Sequence, residues 1–188
     1  MKRVWLLAVL LLLTGCVGNT PVFVDMSIER SYAEASWTGT TYSWHDLSAR
    51  ATCVVEADVT AERTDSDGTN VVTLAVRTVL KGDVDKTLAV RDTAWQYGEA
   101  ERSLCGEPMM CVGHRVVLFL EATDTASYAL VDNAALAKFF FDRDGTYHNA
   151  LLYSQRYCED IASKGDTQMP ILEDMSPKTL DELKALVS

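Results

Sequence analysis

The sequence predicts a small all-β domain that ends in one amphipathic helix. Three observations support this fold class. Apolar and polar residues alternate with a period of two from residue 53 onward, Asp- and Gly-rich turns separate the alternating runs, and leucines recur at helical spacing near the carboxyl end. The chain has 188 residues, which suffices for one domain with a substantial core. We expect that domain to cover residues 47–188.

The first two strands are predicted to form a β-hairpin. A turn rich in Asp, Ser and Gly over residues 65–70 separates an alternating run at residues 53–62 from a second run at residues 72–80. In the first run, one face is apolar and the other carries mostly polar residues such as Glu56. The predicted buried face consists of Cys53, Val55, Ala57, Val59 and Ala61.

Five shorter strands and one helix are predicted downstream. The strands are expected at residues 88–91, 115–121, 128–131, 138–141 and 146–152. Residues 115–121 are apolar on both faces, which is typical of a strand in the middle of a core. At the carboxyl end, Ser176 is the predicted helix cap and Pro177 the first helical residue. The apolar face of this helix is predicted to contain Leu180, Leu183, Leu186 and Val187.

The amino terminus has the composition of an export signal. Lys2 and Arg3 precede an apolar run over residues 4–13, which is too short to span a bilayer. The run leads into Leu13-Thr14-Gly15-Cys16, which resembles the lipobox of bacterial lipoproteins. An ordinary secretory signal with a chance cysteine is the alternative.

The lipobox resemblance implies how the chain is processed and where the protein is located. Residues 1–15 are then a signal peptide, and Cys16 receives a diacylglyceryl group and often a further acyl chain such as palmitate on its new amino group. Residues 16–46 lack a sustained period and are predicted to form the lipidated cysteine and a tether. The protein is expected in the bacterial cell envelope, anchored by lipid to a membrane on its extracytoplasmic side, at the cell surface or otherwise outside the cytoplasm.

The charge of the mature chain excludes one class of partner. Removal of the signal leaves 173 residues and changes the formal net charge from −10 to −12, because the signal contains two basic and no acidic residues. Such a chain is not expected to bind nucleic acid or to adhere electrostatically to anionic lipid. Membrane attachment then depends on the acyl chains, whose buried CH₂ groups each contribute ~0.8 kcal/mol.

The remaining cysteines form an even set, Cys53, Cys105, Cys111 and Cys158, in an oxidising compartment. Two disulfides are therefore predicted, and three pairings are open. The preferred pairing joins Cys105 to Cys111 and Cys53 to Cys158. The second bond closes a long loop and should stabilise the fold by ~4 to 5 kcal/mol. A zinc site that adds His114 to three of these cysteines is the alternative, but the spacing of Cys105 and Cys111 disfavours it.

A series of segments resembles the netrin-like, metalloproteinase-inhibitor type of OB-fold barrel. The matching segments, in order, are residues 57–59, 76–82, 105–106 and 113–120. The resemblance covers about residues 51–122 and implies a small OB-like antiparallel barrel. In animal inhibitors of this family, a free amino-terminal cysteine chelates the protease zinc. A lipidated Cys16, some 30 residues before the barrel, cannot act in this way.

Residues 93–113 are the candidate binding segment. This connection is unusually long and contains Trp95, Tyr97 and Arg102. Trp, Tyr and Arg are the residue types that contribute most to binding hot spots. The alternative is that Trp95 and Tyr97 plug one end of the barrel.

Catalytic and metal-binding motifs are not recognised. Neither Gly-x-Ser-x-Gly nor His-Glu-x-x-His occurs, and His45, His114 and His148 stand apart in the chain. No catalytic residue, metal or cofactor is therefore predicted, and the sequence favours a non-catalytic module that binds an unknown protein or envelope component. The alternatives are an envelope hydrolase or metal-dependent enzyme, and a loop-based inhibitor of secreted proteases.

Overall fold

The computed structural model describes residues 20–32, 43–66, 68–103, 106–123, 127–131, 135–154 and 174–188, with Tyr97 described by its backbone alone. The predicted signal peptide, Cys16, Cys105 and Cys158 lie outside these ranges. The strands are β1 (Arg30–Tyr32), β2 (Cys53–Thr64), β3 (Asn70–Lys81), β4 (Thr87–Arg91), β5 (Trp95–Tyr97), β6 (Ala100–Ser103), β7 (Arg115–Ala122), β8 (Tyr128–Leu130), β9 (Lys138–Phe141) and β10 (Tyr147–Asn149). The helices are α1 (Trp44–Arg50) and α2 (Leu180–Leu186), and a 3₁₀ turn covers Ala150–Tyr153. None of the helices in these ranges is long and apolar enough to cross a membrane.

Five of the strands close into a barrel. β2 pairs antiparallel with β3 on one side and with β7 on the other, and β3 pairs antiparallel with β4. β4 pairs in parallel with β8, and β8 pairs antiparallel with β7, which closes the ring in the order β2-β3-β4-β8-β7. β9 continues the sheet from β7, and β10 from β9. The prediction of a small all-β barrel is confirmed.

The central position of β7 is also confirmed. β2 lies along one edge of β7, and β8 and β9 share the other edge. Residues 116–120 of β7 are completely buried, so neither face of the strand reaches solvent. This burial explains why the segment is apolar on both faces.

The burial of β2 departs from the predicted alternation. Glu56 was predicted to face solvent but is buried, because the Tyr147 side chain covers it and its hydroxyl donates to Glu56 Oε1 at 2.7 Å. Ala61 was predicted to be buried but is exposed, because the β2–β3 hairpin is solvent-exposed on β2 from Thr60 onward. The alternation therefore predicted the strand and its hairpin, but not the second layer over one half of it.

The predicted tether is shorter than residues 16–46, because its described part packs on the barrel. Val22 forms a parallel β-bridge with His114, and the Phe23 ring stacks on the Phe141 ring with centroids 6.5 Å apart. β1 pairs in parallel with β6. Each of these contacts involves only one to three residues, so they leave no sequence period.

Helix α1 corrects the same prediction at its other end. Ser43 caps the helix by accepting a hydrogen bond from the Asp46 N–H, and Trp44 and Leu47 are buried in the core. The Trp44 ring packs on Phe139 of β9 with centroids 5.4 Å apart. Because α1 has only seven residues, it shows barely two turns of periodicity.

Helix α2 is present as predicted, but it starts later than predicted. Thr179, rather than Ser176, is the N-cap: its hydroxyl accepts from the Glu182 N–H at 3.3 Å, and the Glu182 carboxylate accepts from the Thr179 N–H at 2.7 Å. The preceding residues stay extended because Lys178 and Tyr147 exchange two backbone hydrogen bonds. The β-bridge thus displaces the helix start by a few residues.

No disulfide is seen at Cys53 or Cys111 in the described part of the chain, and their predicted partners, Cys158 and Cys105, lie outside it. Cys53 and Cys111 lie far apart. Cys53 begins β2, whereas Cys111 is two residues from Gly113, whose N–H donates to Val59 O at 2.9 Å. Six residues of strand separate Cys53 from Val59, about 20 Å at 3.3 Å per residue. A bond between Cys53 and Cys111 is therefore excluded, which removes one of the three pairings.

Candidate functional site

The candidate binding segment folds into a hairpin followed by a buried return. β5 and β6 pair antiparallel with Trp95 directly opposite Arg102, so both side chains lie on one face. β1 adds to β6, which gives a three-stranded sheet in the order β1-β6-β5 outside the barrel. Tyr97 is opposite Ala100, but its side chain lies outside the described part. The fold thus brings together two of the three predicted binding residues, both half-buried.

β5 forms an edge of this small sheet. In the described part of the chain, β5 pairs with β6 alone. Gln96 on β5 and the turn residues Gly98 and Glu99 are exposed. The Gln96 amide donates to Gly98 O at 2.9 Å and braces the turn. An exposed edge of this kind offers backbone N–H and C=O groups to an extended partner.

The return, residues 106–110, has no regular secondary structure and is buried throughout. Met110 is completely buried and belongs to the hydrophobic core, whereas Trp95 does not. Trp95 is therefore not part of the core, which argues against the plug alternative for that residue. Glu107 is 1% exposed and accepts a hydrogen bond from the Thr93 hydroxyl at 2.9 Å.

A buried ion pair fastens the return to the barrel. Lys138 on β9 and Asp92 at the end of β4 both have side chains that are 0% exposed, and Lys138 Nζ lies 2.8 Å from Asp92 Oδ1. Lys138 also donates to Pro108 O at 2.7 Å, and Asp92 Oδ2 accepts from the Met110 N–H at 2.7 Å. The Phe140 ring lies 5.7 Å from Lys138 Nζ. Both charges are satisfied, as buried charges must be.

A second ion pair joins the hairpin to the same return. The Glu101 carboxylate on β6 accepts from Arg30 Nε at 2.9 Å and from the Met109 N–H at 3.2 Å. Glu101 and Arg30 have side chains that are 4% and 9% exposed, so solvent screens this pair little. The Glu101 carboxylate therefore ties the hairpin to β1 and to the return. The Asp92–Lys138 pair in turn ties the return to the barrel.

His114 and Cys111 lie at the end of the return. Cys111 N–H donates to His114 Nδ1 at 3.1 Å, so Nδ1 is an acceptor and the ring is neutral with its proton on Nε2. Burial, together with Lys138 and Arg30, lowers the pKa of His114 to about 4. Burial and nearby carboxylates raise the pKa of Cys111 to about 12. Neither a thiolate nor an imidazolium is therefore available here at neutral pH.

A second polar cluster was missed by sequence reasoning. Glu56 accepts hydrogen bonds from the hydroxyls of Thr78 and Tyr147, both at 2.7 Å. Asp58 accepts from Arg77 Nη1 at 3.0 Å and from Arg115 Nε at 2.9 Å. Carboxylates at two successive polar positions of β2 were the only available signal. Because every oxygen faces a cation or hydroxyl of a neighbouring strand, the cluster fastens β10 to the barrel.

The remaining histidines do not assemble a catalytic group in the described part of the chain. His148 contacts Asp144 at 2.9 Å, whereas the His45 side chain is 92% exposed and lies on α1. No three His, Cys, Asp or Glu residues among those described converge as metal ligands.

No family model matches the chain, and no curated protein matches it significantly.

Proposed function

We propose that this protein is an envelope lipoprotein, acylated at Cys16, whose barrel presents a non-catalytic binding surface on the β5–β6 hairpin. One observation carries the proposal: Trp95 and Arg102 are paired on one face of a hairpin that the buried Glu101–Arg30 ion pair ties to β1. The buried Asp92–Lys138 pair holds the return that follows the hairpin against the barrel. A rigid aromatic and an arginine on a preorganised support are typical of binding hot spots.

The order of the barrel strands supports an OB-like domain. The ring β2-β3-β4-β8-β7, with one parallel pair between β4 and β8, has the Greek-key connectivity of five-stranded OB barrels. This agrees with the netrin-like resemblance, which remains part of the proposal. A shared fold does not define the ligand, so the function is argued from the hairpin.

The partner that fits the hairpin best is an extended protein segment. β5 offers an edge whose backbone groups can pair with an added strand, and Trp95 offers apolar surface beside it. The acidic net charge of the chain favours a partner that is not itself strongly acidic. His114 is neutral and its Nδ1 accepts a hydrogen bond from the Cys111 N–H, which supports binding over the hydrolase alternative.

Photo-cross-linking in the native envelope tests the binding surface. A photoreactive amino acid replaces Gln96 on the hairpin or, as a matched control, Glu62 on the exposed part of β2. We expect a discrete protein adduct from position 96 and none from position 62. Trp95→Ala should reduce that adduct at least several-fold at unchanged thermal stability. Equal adducts at both positions, or an undiminished adduct with Trp95→Ala, would reject the hairpin as the binding surface.

The anchor is tested separately by the intact mass of the detergent-extracted protein. We expect the mass of a chain that starts at Cys16 and carries acyl groups, and release of the protein from the membrane fraction with Cys16→Ser. A mature chain that lacks any acyl group would refute the lipoprotein part of the proposal and leave the hairpin test untouched.

A further inference from the structure

The folded part of the chain starts very close to the proposed anchor. Val22 already pairs with the barrel, since its N–H donates to Gly113 O at 2.8 Å. Cys16 precedes Val22 by six residues. A fully extended chain spans at most about 3.6 Å per residue, so Cys16 lies within about 22 Å of Val22. The polar headgroup layer takes up roughly 5 to 8 Å of that reach.

Large apolar side chains are exposed at this end of the barrel. Four large apolar side chains are exposed in the described part of the chain: Val22, Met26, Val79 and Val112, with exposures of 49%, 64%, 42% and 47%. Three of the four belong to the amino-terminal segment or to the turn that it contacts. Val112 adjoins Gly113, where a Cβ atom would lie only 2.5 Å from Val22 Cγ2. Val22 and the turn at residues 112–113 are thus in close contact.

The fourth residue, Val79, lies elsewhere on the barrel. It pairs with Val55 of β2, whereas the Gly113 turn contacts Val59, four residues further along the same strand. This corresponds to about 13 Å at 3.3 Å per residue. Val79 is therefore an equally exposed valine that is remote from the amino-terminal segment.

Charged groups of both signs lie near the amino-terminal segment, where Asp25 and Glu29 are exposed. The Asp25 carboxylate accepts from the Ser27 N–H and hydroxyl, both at 2.8 Å. These hydrogen bonds, with Arg30 and Arg143 nearby, hold the pKa of Asp25 below its usual range. The Arg143 guanidinium also lies 5.5 Å from the Phe23 ring. The predicted mature chain has a net charge of −12, and the nearby guanidinium groups of Arg30 and Arg143 lower the repulsion between this end and an anionic bilayer.

We propose that the surface formed by Val22, Met26 and Val112 rests on the lipid bilayer and sets the orientation of the barrel on the membrane. The proposal rests on the acylation of Cys16, because the short connection brings this end of the fold to the headgroups. The acyl chains supply the affinity, and the three side chains add a small apolar contact that selects one face. The barrel therefore stands directly on the bilayer and does not move freely on a long tether.

Lipid cross-linking tests this orientation. The natively acylated, full-length protein is reconstituted into vesicles of phosphatidylethanolamine and phosphatidylglycerol, with benzoylphenylalanine at position 112 or at the matched position 79. We expect phospholipid adducts from position 112 at several-fold higher yield than from position 79. The thermal midpoint of each variant verifies that the fold is retained, since both valines are about half exposed.

Two outcomes overturn the proposal, and the intact mass distinguishes them. Equal adduct yields from an acylated protein would reject the orientation and leave the anchor intact. A protein whose mass shows no acyl group on Cys16 would reject the anchor and this orientation together.

Discussion

Single residues decide how the binding segment is held. Asp92 and Lys138 are 46 positions apart in the chain, yet both are completely buried and 2.8 Å apart. Isolated buried charges are strongly unfavourable, so each makes the other tolerable. Neither residue was singled out from the sequence, because Asp92 follows a short strand and Lys138 begins one, as many surface residues do. Their role depends on contacts that no local pattern encodes.

We expect replacement of one member of this pair to be strongly destabilising. Lys138→Met leaves the Asp92 charge buried without its cation, and should lower the free energy of unfolding by about 3 to 5 kcal/mol. Lys184→Met is the matched control, because the Lys184 side chain is 50% exposed and its 3.8 Å ion pair should contribute less than about 1 kcal/mol. Urea unfolding followed by circular dichroism measures both.

The double variant Asp92→Leu with Lys138→Met tests whether the uncompensated Asp92 charge causes the loss of stability in Lys138→Met. If the uncompensated charge causes the loss, the double variant should be more stable than Lys138→Met alone. A Lys138→Met protein as stable as the wild type would contradict the burial of the pair.

His114 should make the fold sensitive to acid. The pKa of His114 is about 4 in the folded protein and 6.5 in the unfolded chain. The unfolded chain therefore binds the proton first as the pH falls. The free energy of unfolding should therefore decrease between pH 6.5 and 4, by up to about 1.4 kcal/mol per pH unit. Above pH 6.5 this contribution is fully retained.

Urea unfolding at pH 7 and pH 5 measures this effect. The wild type should lose about 2 kcal/mol more than His114→Asn between these values, since asparagine does not titrate. His45→Asn, which alters an exposed histidine, should behave like the wild type. An equal loss in wild type and His114→Asn would show that His114 is not buried as described.

At the scale of elements, the strands followed from the sequence and the amino-terminal contacts did not. Alternation and Asp-Gly turns predicted the β2–β3 hairpin and most later strands, because side-chain direction and turn chemistry are local properties. Residues 20–32 and the first three residues of helix α1 were predicted as tether. Each of their contacts with the barrel involves only a few residues, so no periodic pattern marks them in the sequence. The exposure of Glu56 on β2 differs from the prediction for the same reason, because Tyr147, which is distant in the chain, covers it.

The docking of the amino-terminal segment depends on Gly113. This residue has φ of +93°, and an added Cβ would lie 2.5 Å from Val22 Cγ2. Gly113→Ala should therefore cost about 1 to 3 kcal/mol and release the segment to protease. Gly145→Ala is the control, because its φ is similar at +81° but nothing lies within 4 Å of the added atom. Equal stability and equal proteolysis of the two variants would contradict the close contact with Val22.

At the scale of the whole molecule, the strand order limits how cysteines pair. Two disulfides remain predicted, and the separation of Cys53 from Cys111 leaves Cys105 or Cys158 as the partner of Cys53. Peptide mapping of the native protein, alkylated in denaturant without reductant, should find Cys53 joined to one of these two. A peptide that links Cys53 to Cys111 would contradict the register. Alkylation of all four thiols would refute the predicted disulfides.

The sequence by itself determined the all-β class, the first hairpin, the buried central strand and the carboxyl-terminal helix, and it supplied the signal on which the proposed anchor rests. Each of these depends on residues within about ten positions of one another, where periodicity and turn chemistry act. Only the tertiary structure decided the strand order of the barrel, the pairing of Trp95 with Arg102 and the two buried ion pairs, Glu101–Arg30 and Asp92–Lys138. Those features join residues that are distant in the chain, and their energy comes from burial, which exists only once the barrel has closed.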